Sequence, residues 1–161
     1  VVRALEPTAR VLVDVLGFRL RAGEPGTPRS ALFETGPGGP GALVLVEERP
    51  DLPRAHLGAG GVHHVAFRVP DDLTHRAWRE RIAQAGIPVT PQIDRFYFRS
   101  LYFREPGGVL YELATDGPGF AVDEDVEHLG EKLSLPPFLE PRRAEIEARL
   151  RPLEPVEAEN R

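Results

Sequence analysis

The hydrophobic and polar positions of the chain fall into two blocks, and each block carries the same order of elements. In the first block, runs of apolar positions predict strands, and a stretch with one apolar face predicts a short helix after the first strand. Pro7 suits the first turn of this helix, and Gly17 suits its end. We predict strands at residues 1–5, from 18–20, 30–35 and 42–48, a helix at 8–16, and turns at 21–29 and 36–41.

The second block repeats this order. Asp71 or Asp72 can cap its helix, and Gly86 can end it. His75 is expected on the exposed side of the helix. The buried helix face is expected to carry four apolar residues, namely Leu73, Ala77, Ile82 and Ala85. We predict a strand at 63–69, a helix from 71 or 72 to about 85, and strands at 89–93, 101–103 and 109–114.

The two blocks form an internal repeat of the form βαβββ. The matched segments are 17–18 with 86–87, 30–33 with 100–103, 41–45 with 108–112, and Pro7 with Pro70. The second helix is expected to be longer by about two turns. We therefore predict an α+β fold with one βαβββ unit at 1–50, a second at 60–117, and a C-terminal extension at 118–161 that contains a helix at 140–150.

The alignment of the repeats isolates two polar residues in apolar strands. His64, on the first strand of the second unit, aligns with Val1, and Glu112, on the last strand, aligns with Leu45. Burying a carboxylate costs several kcal/mol unless it is paired or bound to a metal. A histidine and a carboxylate on different strands of one sheet are two parts of a two-histidine, one-carboxylate Fe(II) site. A buried histidine bonded to backbone and a carboxylate paired with arginine are the alternative interpretations.

The neighbouring His63 should point to the opposite face of the same strand, because successive side chains alternate across a sheet. Packing or a hydrogen bond is therefore the expected role of His63, and metal binding is not.

Composition narrows the function classes. The 161 residues are 41% hydrophobic and 28% charged, which is the balance of an ordinary globular domain. No apolar run approaches the roughly 20 residues that span a bilayer. The net charge of −5 argues against nucleic acid as a partner, and the absence of cysteine excludes thiol catalysis and cysteine-ligated metals. No signal-peptide pattern is visible, so we expect a cytoplasmic protein.

Three segments carry a resemblance to a known family: GVHHVAFRVPDD, DRFYFRSLYFREPGGVLYELATDGPGF and EHLGEKLSLPP. They resemble the C-terminal half of ring-cleaving dioxygenases of the hydroquinone type, in the vicinal oxygen chelate (glyoxalase–extradiol dioxygenase) superfamily. The resemblance implies an Fe(II) enzyme that opens the ring of a hydroquinone or catechol with dioxygen. It implies that His64 and Glu112 are metal ligands. It also implies that Arg95 and Tyr102 orient the aromatic diol and stabilise charge on its oxygens.

In that family one chain carries twice as many βαβββ units, and the remaining histidine ligand lies in the N-terminal half. Val1 cannot replace that histidine. We therefore expect a piece of a longer protein, a ligand supplied by another chain, or a protein that has lost the activity. A lone half would expose an apolar face, so a homodimer or a swapped assembly is expected.

Two other functions fit the same residues. A glyoxalase-like isomerase or transferase would use Ni, Zn or Mn on this scaffold, since the fold does not choose the chemistry. A metal-free module that binds a small aromatic is favoured by the missing third ligand.

Overall fold

The computed structural model describes residues 1–24 and 29–151. The chain divides into two compact units, Val1–Val122 and Asp123–Arg161. The first unit contains two sheets, each with a helix of its own repeat, which confirms the predicted α+β architecture of βαβββ type. The predicted boundaries at residues 50, 60 and 117 stay a prediction.

The first repeat forms a three-stranded antiparallel sheet of order β1-β2-β3. Val2 pairs in parallel with Glu48, directly after the third strand. The helix is followed by Gly17, whose φ of +74° is the left-handed conformation that glycine adopts most readily. The elements are α1 (Leu5–Arg10), its π-helical continuation (Val11–Val15), β1 (Arg19–Glu24), β2 (Ser30–Glu34) and β3 (Leu43–Glu47).

The second repeat forms a four-stranded sheet of order β4-β7-β6-β5, in which β4 runs parallel to β7. The carboxylate of Asp71 accepts a hydrogen bond from the Thr74 N–H at 2.7 Å and caps the helix, as predicted. Gly86, with φ of +76°, follows its end. The elements are β4 (Val65–Val69), α2 (Asp72–Gln84), β5 (Ile93–Asp94), β6 (Arg99–Arg104) and β7 (Leu110–Thr115).

The register of the two sheets aligns the repeats residue by residue. Leu32 lies opposite Leu45 across β2 and β3, and Tyr102 lies opposite Glu112 across β6 and β7. The predicted match of Leu45 with Glu112 is therefore confirmed.

The first strand of the repeats aligns differently from the prediction. Val2 occupies the position of Val69, because each pairs in parallel at the equivalent end of the last strand of its repeat. The counterpart of Val1 is consequently Arg68, and the predicted match of Val1 with His64 is wrong. The position that corresponds to His64 would precede Val1.

The helices are also closer in length than predicted. Ala4 and Asp71 are the N-caps, and the glycine that terminates each helix follows 13 positions later in the first repeat and 15 positions later in the second. The second helix is thus longer by two residues rather than by two turns. Pro7 lies within the first turns of α1 and does not correspond to Pro70, which precedes the N-cap of α2.

The buried face of α2 differs from the prediction. Ile82 is buried as expected, but Leu73 is 78% exposed, and both predicted alanines are exposed. The buried positions are His75 and Ile82, with Trp78 half-buried between them. The face of α2 that packs against the sheet is therefore not the face that carries Leu73 in its first turn. His75 can be buried because both of its ring nitrogens are hydrogen-bonded.

Three strand boundaries also need correction. The strand predicted at 89–93 is β5, Ile93–Asp94, and Val89 forms only an isolated bridge with Phe103. β1 extends to Glu24, where we predicted a turn, because its pairing with β2 continues to Glu24 after a register shift between Leu20 and Ala22. Residues 25–28 of the predicted turn lie outside the described residues. Leu5 lies in α1, not in a strand.

A buried carboxylate joins the two repeats. Glu105 accepts hydrogen bonds from Thr8 Oγ1 on α1 at 3.0 Å, and from the N–H groups of Gly107 and Val109 at 2.6 and 2.8 Å. A side chain at position 107 would collide with Thr8 and Glu105, so the turn requires glycine. Burial, together with the nearby charge of Glu105, raises the pKa of the Tyr111 hydroxyl well above its ordinary value.

The second unit contains short helical segments. The predicted helix at 140–150 is a 3-10 helix, Pro137–Arg142, followed by α3, Arg143–Glu147. Another 3-10 turn spans Val126–His128. None of the helices in the described part of the chain has the length and hydropathy needed to cross a membrane.

Candidate functional site

The centre of the candidate site is Glu112, on the central strand β7. The register places it between Ala66 on β4 and Tyr102 on β6. Its side chain is only 4% exposed, although it is a carboxylate in the apolar strand Leu110–Thr115. A carboxylate at this depth requires partners that replace its lost hydration.

Three side chains supply those partners. Ser100 Oγ and the Tyr102 hydroxyl both donate to Glu112 Oε1, at 2.5 and 2.9 Å. His64 Nε2 lies 2.7 Å from the other carboxylate oxygen, Oε2. The two oxygens of Glu112 are therefore used differently, since one accepts two hydroxyl groups and the other faces an imidazole.

His64 lies just before β4, so the predicted position on the strand itself is wrong by one residue. Its side chain is 33% exposed, and its ring packs edge-on against Tyr102 at 5.6 Å. Because a carboxylate only accepts hydrogen bonds, Nε2 of a neutral His64 carries the proton in this arrangement.

The neighbouring His63 was predicted to point to the opposite face of the strand from His64, and this prediction is wrong. Its Nδ1 lies 2.9 Å from Nδ1 of His64, and the two rings are perpendicular. The alternation rule fails here because both residues precede the strand, where the backbone is not extended in a ladder. The exposed His63 is thus a neighbour of the candidate ligand that the sequence pattern missed.

Arg95 and Tyr102, for which the resemblance implied a role in orienting the substrate, lie next to one another. Arg95 Nη2 donates to the Tyr102 hydroxyl at 3.3 Å, and the guanidinium carbon lies 5.5 Å from the ring centroid. Arg95 belongs to a tight loop in which Phe96 has a positive φ of 71° and its N–H donates to Asp94 Oδ1 at 2.7 Å. The exposed guanidinium therefore stands beside the hydroxyl, not beside a carboxylate of the site.

These four side chains form one hydrogen-bonded chain from Arg95 through Tyr102 and Glu112 to His64. The chain combines a cation, a hydroxyl, a carboxylate and an imidazole. An imidazole nitrogen and a carboxylate oxygen are suitable ligands for a divalent transition metal, and the open side of His64 leaves room for further ligands.

The site supplies some of the donor atoms that a metal ion would need. His64 Nε2 and Glu112 Oε2 already lie within reach of one another, so a cation could take the place of the proton between them. Within residues 1–24 and 29–151, no group of three or more histidine, cysteine, aspartate or glutamate side chains is placed to hold a metal ion. Among the described residues, His64 and Glu112 are thus the two donors brought together of the three that the resemblance implies.

His75 was predicted on the exposed side of its helix, but it is fully buried. Its Nε2 donates to the carbonyl of Leu113, and Gln92 Nε2 donates to its Nδ1, at 2.9 and 2.8 Å. Both nitrogens are committed, so His75 ties α2 to β7 beside Glu112.

Ser100 is the other residue that sequence reasoning missed. It is fully buried, and it precedes Tyr102 by two positions on the same strand. That spacing puts both hydroxyl groups on the same face of β6, which was the available signal.

Comparisons of the sequence with known proteins identify the family to which the chain belongs. Residues 1–113 match the family described as Glyoxalase/Bleomycin resistance protein/Dioxygenase superfamily. The chain is 48% identical over 151 residues to "Putative ring-cleaving dioxygenase MhqA" of Bacillus subtilis (strain 168), covering 92% of this chain and 48% of that protein. It is 40% identical over 91 residues to the chlorohydroquinone/hydroquinone 1,2-dioxygenase of Sphingobium indicum, covering 56% of this chain and 28% of that enzyme.

Comparisons with solved structures lead to the same family or the same fold. The crystal structure of a "putative dioxygenase" from Bacillus subtilis matches 96% of this chain and 48% of that one, with a TM-score of 0.87 and 40% identity. A glyoxylase/bleomycin resistance protein/dioxygenase domain from Frankia sp. EAN1pec, at 19% identity, matches 81% of this chain and 92% of that one, with a TM-score of 0.62, and shows the fold alone. The chain spans about half the length of the two Bacillus proteins named above. The chain belongs to the glyoxalase/bleomycin resistance protein/dioxygenase superfamily.

Proposed function

We propose that this chain carries the metal-binding part of an Fe(II)-dependent ring-cleaving dioxygenase that acts on a hydroquinone- or catechol-type aromatic. The observation that carries the proposal is the hydrogen-bonded chain Arg95–Tyr102–Glu112–His64, in which Tyr102 and Glu112 lie on neighbouring strands of one sheet. The names of the relatives support the reaction class.

His64 and Glu112 would hold the metal, through Nε2 and Oε2. A bound Fe(II) would supply coordination positions for the diol and for dioxygen and would stabilise the anionic oxygens of the substrate. The remaining histidine ligand is expected from a segment outside this chain or from a second copy of it. Mn, Zn or Ni are the alternative metals.

Arg95 would bind and orient the substrate. Its guanidinium is exposed and bonded to a neutral hydroxyl, so its charge is available to an aromatic diol that has lost a proton. Its position over the Tyr102 ring keeps the cation beside the site.

Tyr102 would hold a proton at its Oη. The hydroxyl accepts from Arg95 and donates to Glu112 Oε1, so the carboxylate keeps that proton on the site side of the ring. A substrate oxygen that develops negative charge near this hydroxyl would receive a hydrogen bond or the proton itself.

The test begins with metal content. The full 161-residue chain is reconstituted anaerobically with Fe(II), desalted, and analysed for iron per chain beside His64→Ala and Glu112→Ala. About one iron per wild-type chain, lost in both variants, is the expected result.

The chain offers a matched control. His128 and Glu131 also form a histidine–glutamate pair, with 3.0 Å between Nδ1 and Oε1, but both side chains are about two-thirds exposed. Iron content should not change in His128→Ala or Glu131→Ala. Oxygen uptake with hydroquinones and catechols then tests the reaction. Tight binding of the aromatic without metal or oxygen uptake would replace the proposal with a metal-free binding module, and isomerase or transferase turnover without oxygen uptake would replace it with glyoxalase-like chemistry.

A further inference from the structure

Ser100 has no part in the function proposed above, yet it makes the shortest hydrogen bond to Glu112. We propose that Ser100 is a positioning residue that fixes the Glu112 carboxylate so that Oε2 alone is presented to a divalent cation. This inference rests on the proposed function, because it assumes that Glu112 is a metal ligand.

The first step is the unequal use of the two carboxylate oxygens. Ser100 Oγ and the Tyr102 hydroxyl both donate to Oε1, while Oε2 faces His64 at 2.7 Å. A half-turn of the carboxylate only exchanges two equivalent oxygens and restores the same contacts, whereas any smaller rotation would break both hydroxyl contacts at once. The arrangement therefore holds Oε2 toward the imidazole.

The second step is burial. Ser100 is fully buried and the Glu112 side chain is 4% exposed, so bulk water has little access to either group. A hydrogen bond to an ionised group is stronger than one between neutral groups, and it is stronger still when water is excluded. Tyr102 is less deeply buried and also bonds Arg95. Ser100 is therefore the donor that is better shielded from water.

The third step is the comparison with the first repeat. Ser30 occupies the register position of Ser100, because each serine lies opposite the residue two positions after Leu45 or Glu112. The serine is thus common to both repeats, but the position of Glu112, whose carboxylate accepts from Ser100, is Leu45 in the first repeat, where the residue directly opposite Ser30 is Glu47. Ser30 supplies a matched control with the same residue type, strand position and substitution.

The experiment measures Mn²⁺ affinity in the full chain, with the electron paramagnetic resonance signal of free Mn²⁺ as the readout. The variants are Ser100→Ala, Ser100→Thr, Ser30→Ala and Glu112→Ala, all at a temperature where the metal-free proteins are folded by circular dichroism. Removal of a group that orients a metal ligand weakens metal binding by about 10–100-fold. We expect a loss of that size in Ser100→Ala, restoration of most of the affinity in Ser100→Thr, and unchanged affinity in Ser30→Ala.

The outcomes separate the two proposals. Wild-type affinity in Ser100→Ala, with Glu112→Ala inactive in binding, would overturn the positioning role and leave the metal site standing. A lower thermal midpoint in Ser100→Ala without weaker Mn²⁺ binding would also overturn it, because the serine would then act on stability alone. A wild-type chain without any Glu112-dependent Mn²⁺ binding would overturn the proposed metal site, and the role of Ser100 with it.

Discussion

The two repeats share one frame and differ in what their sheets carry at equivalent positions. Leu45 and Leu32 in the first repeat stand where Glu112 and Tyr102 stand in the second. Leu45 is 65% exposed, whereas Glu112 is 3% exposed. The comparison teaches that a candidate site can arise from a few side chains on a duplicated frame without a change of topology.

There is a physical reason why the carboxylate of Glu112 is buried while the equivalent leucine, Leu45, is exposed. A leucine gains by burial and a carboxylate loses, so intrinsic preference alone would give the opposite result. Glu112 stays buried because Ser100, Tyr102 and His64 replace its hydration.

The largest expected effect comes from making the second repeat resemble the first. Glu112→Leu should reduce iron content to background while the far-ultraviolet circular dichroism stays folded, because the ligand is replaced by an apolar group of similar volume. The converse variant Leu45→Glu should not create iron binding in the first repeat, since the position that corresponds to His64 precedes Val1. Retention of iron in Glu112→Leu would contradict the assignment of the ligand.

Removing the Tyr102 hydroxyl beside the carboxylate, or the Arg95 guanidinium bonded to that hydroxyl, should abolish most of the activity but not the fold. Under conditions in which the wild-type protein consumes oxygen with a hydroquinone, Arg95→Ala and Tyr102→Phe should each lower the rate by about 10²–10⁴-fold. Leu32→Ala, at the position equivalent to Tyr102, should leave the rate within a few-fold. Wild-type turnover in both polar variants would remove these residues from the mechanism.

The contact between the repeats should be sensitive to one buried carboxylate. Glu105→Ala leaves the Thr8 hydroxyl and two N–H groups without their acceptor, so we expect a loss of about 2–4 kcal/mol in the free energy of unfolding. Thr8→Ala removes one of the three donors and should cost about 1 kcal/mol. Urea denaturation of the metal-free chain measures both. Equal losses in the two variants would show that the backbone donors find water instead.

The smallest expected effect is the loss of the Asp71 cap of α2. Hydrogen bonds from the backbone and the side chain of Thr74 lower the pKa of the Asp71 carboxyl below its ordinary value of 3.8. A carboxyl with a lowered folded-state pKa stabilises the fold above that ordinary value, and this contribution disappears as the pH falls through the lower pKa. Asp71→Ala should therefore lower the thermal midpoint slightly at pH 7 and leave it closer to wild type in strong acid. A pH-independent difference would show that the cap acts through packing.

Local signals allowed most of the fold to be predicted from the sequence. The glycines after both helices, the Asp71 cap and the matching segments on β2 and β6 each depend on residues close in the chain. The same signals singled out Glu112, because a carboxylate in an apolar strand needs partners wherever it lies.

Prediction failed where the outcome depended on distant contacts. His75 is buried, because its ring nitrogens meet the Leu113 carbonyl and the Gln92 amide. His63 turns toward His64, because the strand begins only at Val65. No periodicity in the chain encodes either contact.

The two helix starts show the same division. The sequence by itself determined the cap of α2, since Asp71 lies three positions before the N–H that it accepts. Only the tertiary structure decided the cap of α1, where Ala4 has no capping group and the Leu5 N–H donates instead to Glu48 Oε2 at 2.6 Å, from a residue beyond β3. The site follows the second pattern, because the partners of Glu112 come from one other strand, β6, and from the segment before β4. Residue types follow from local chemistry, but which of them meet is decided by strand register, which only the folded sheet fixes.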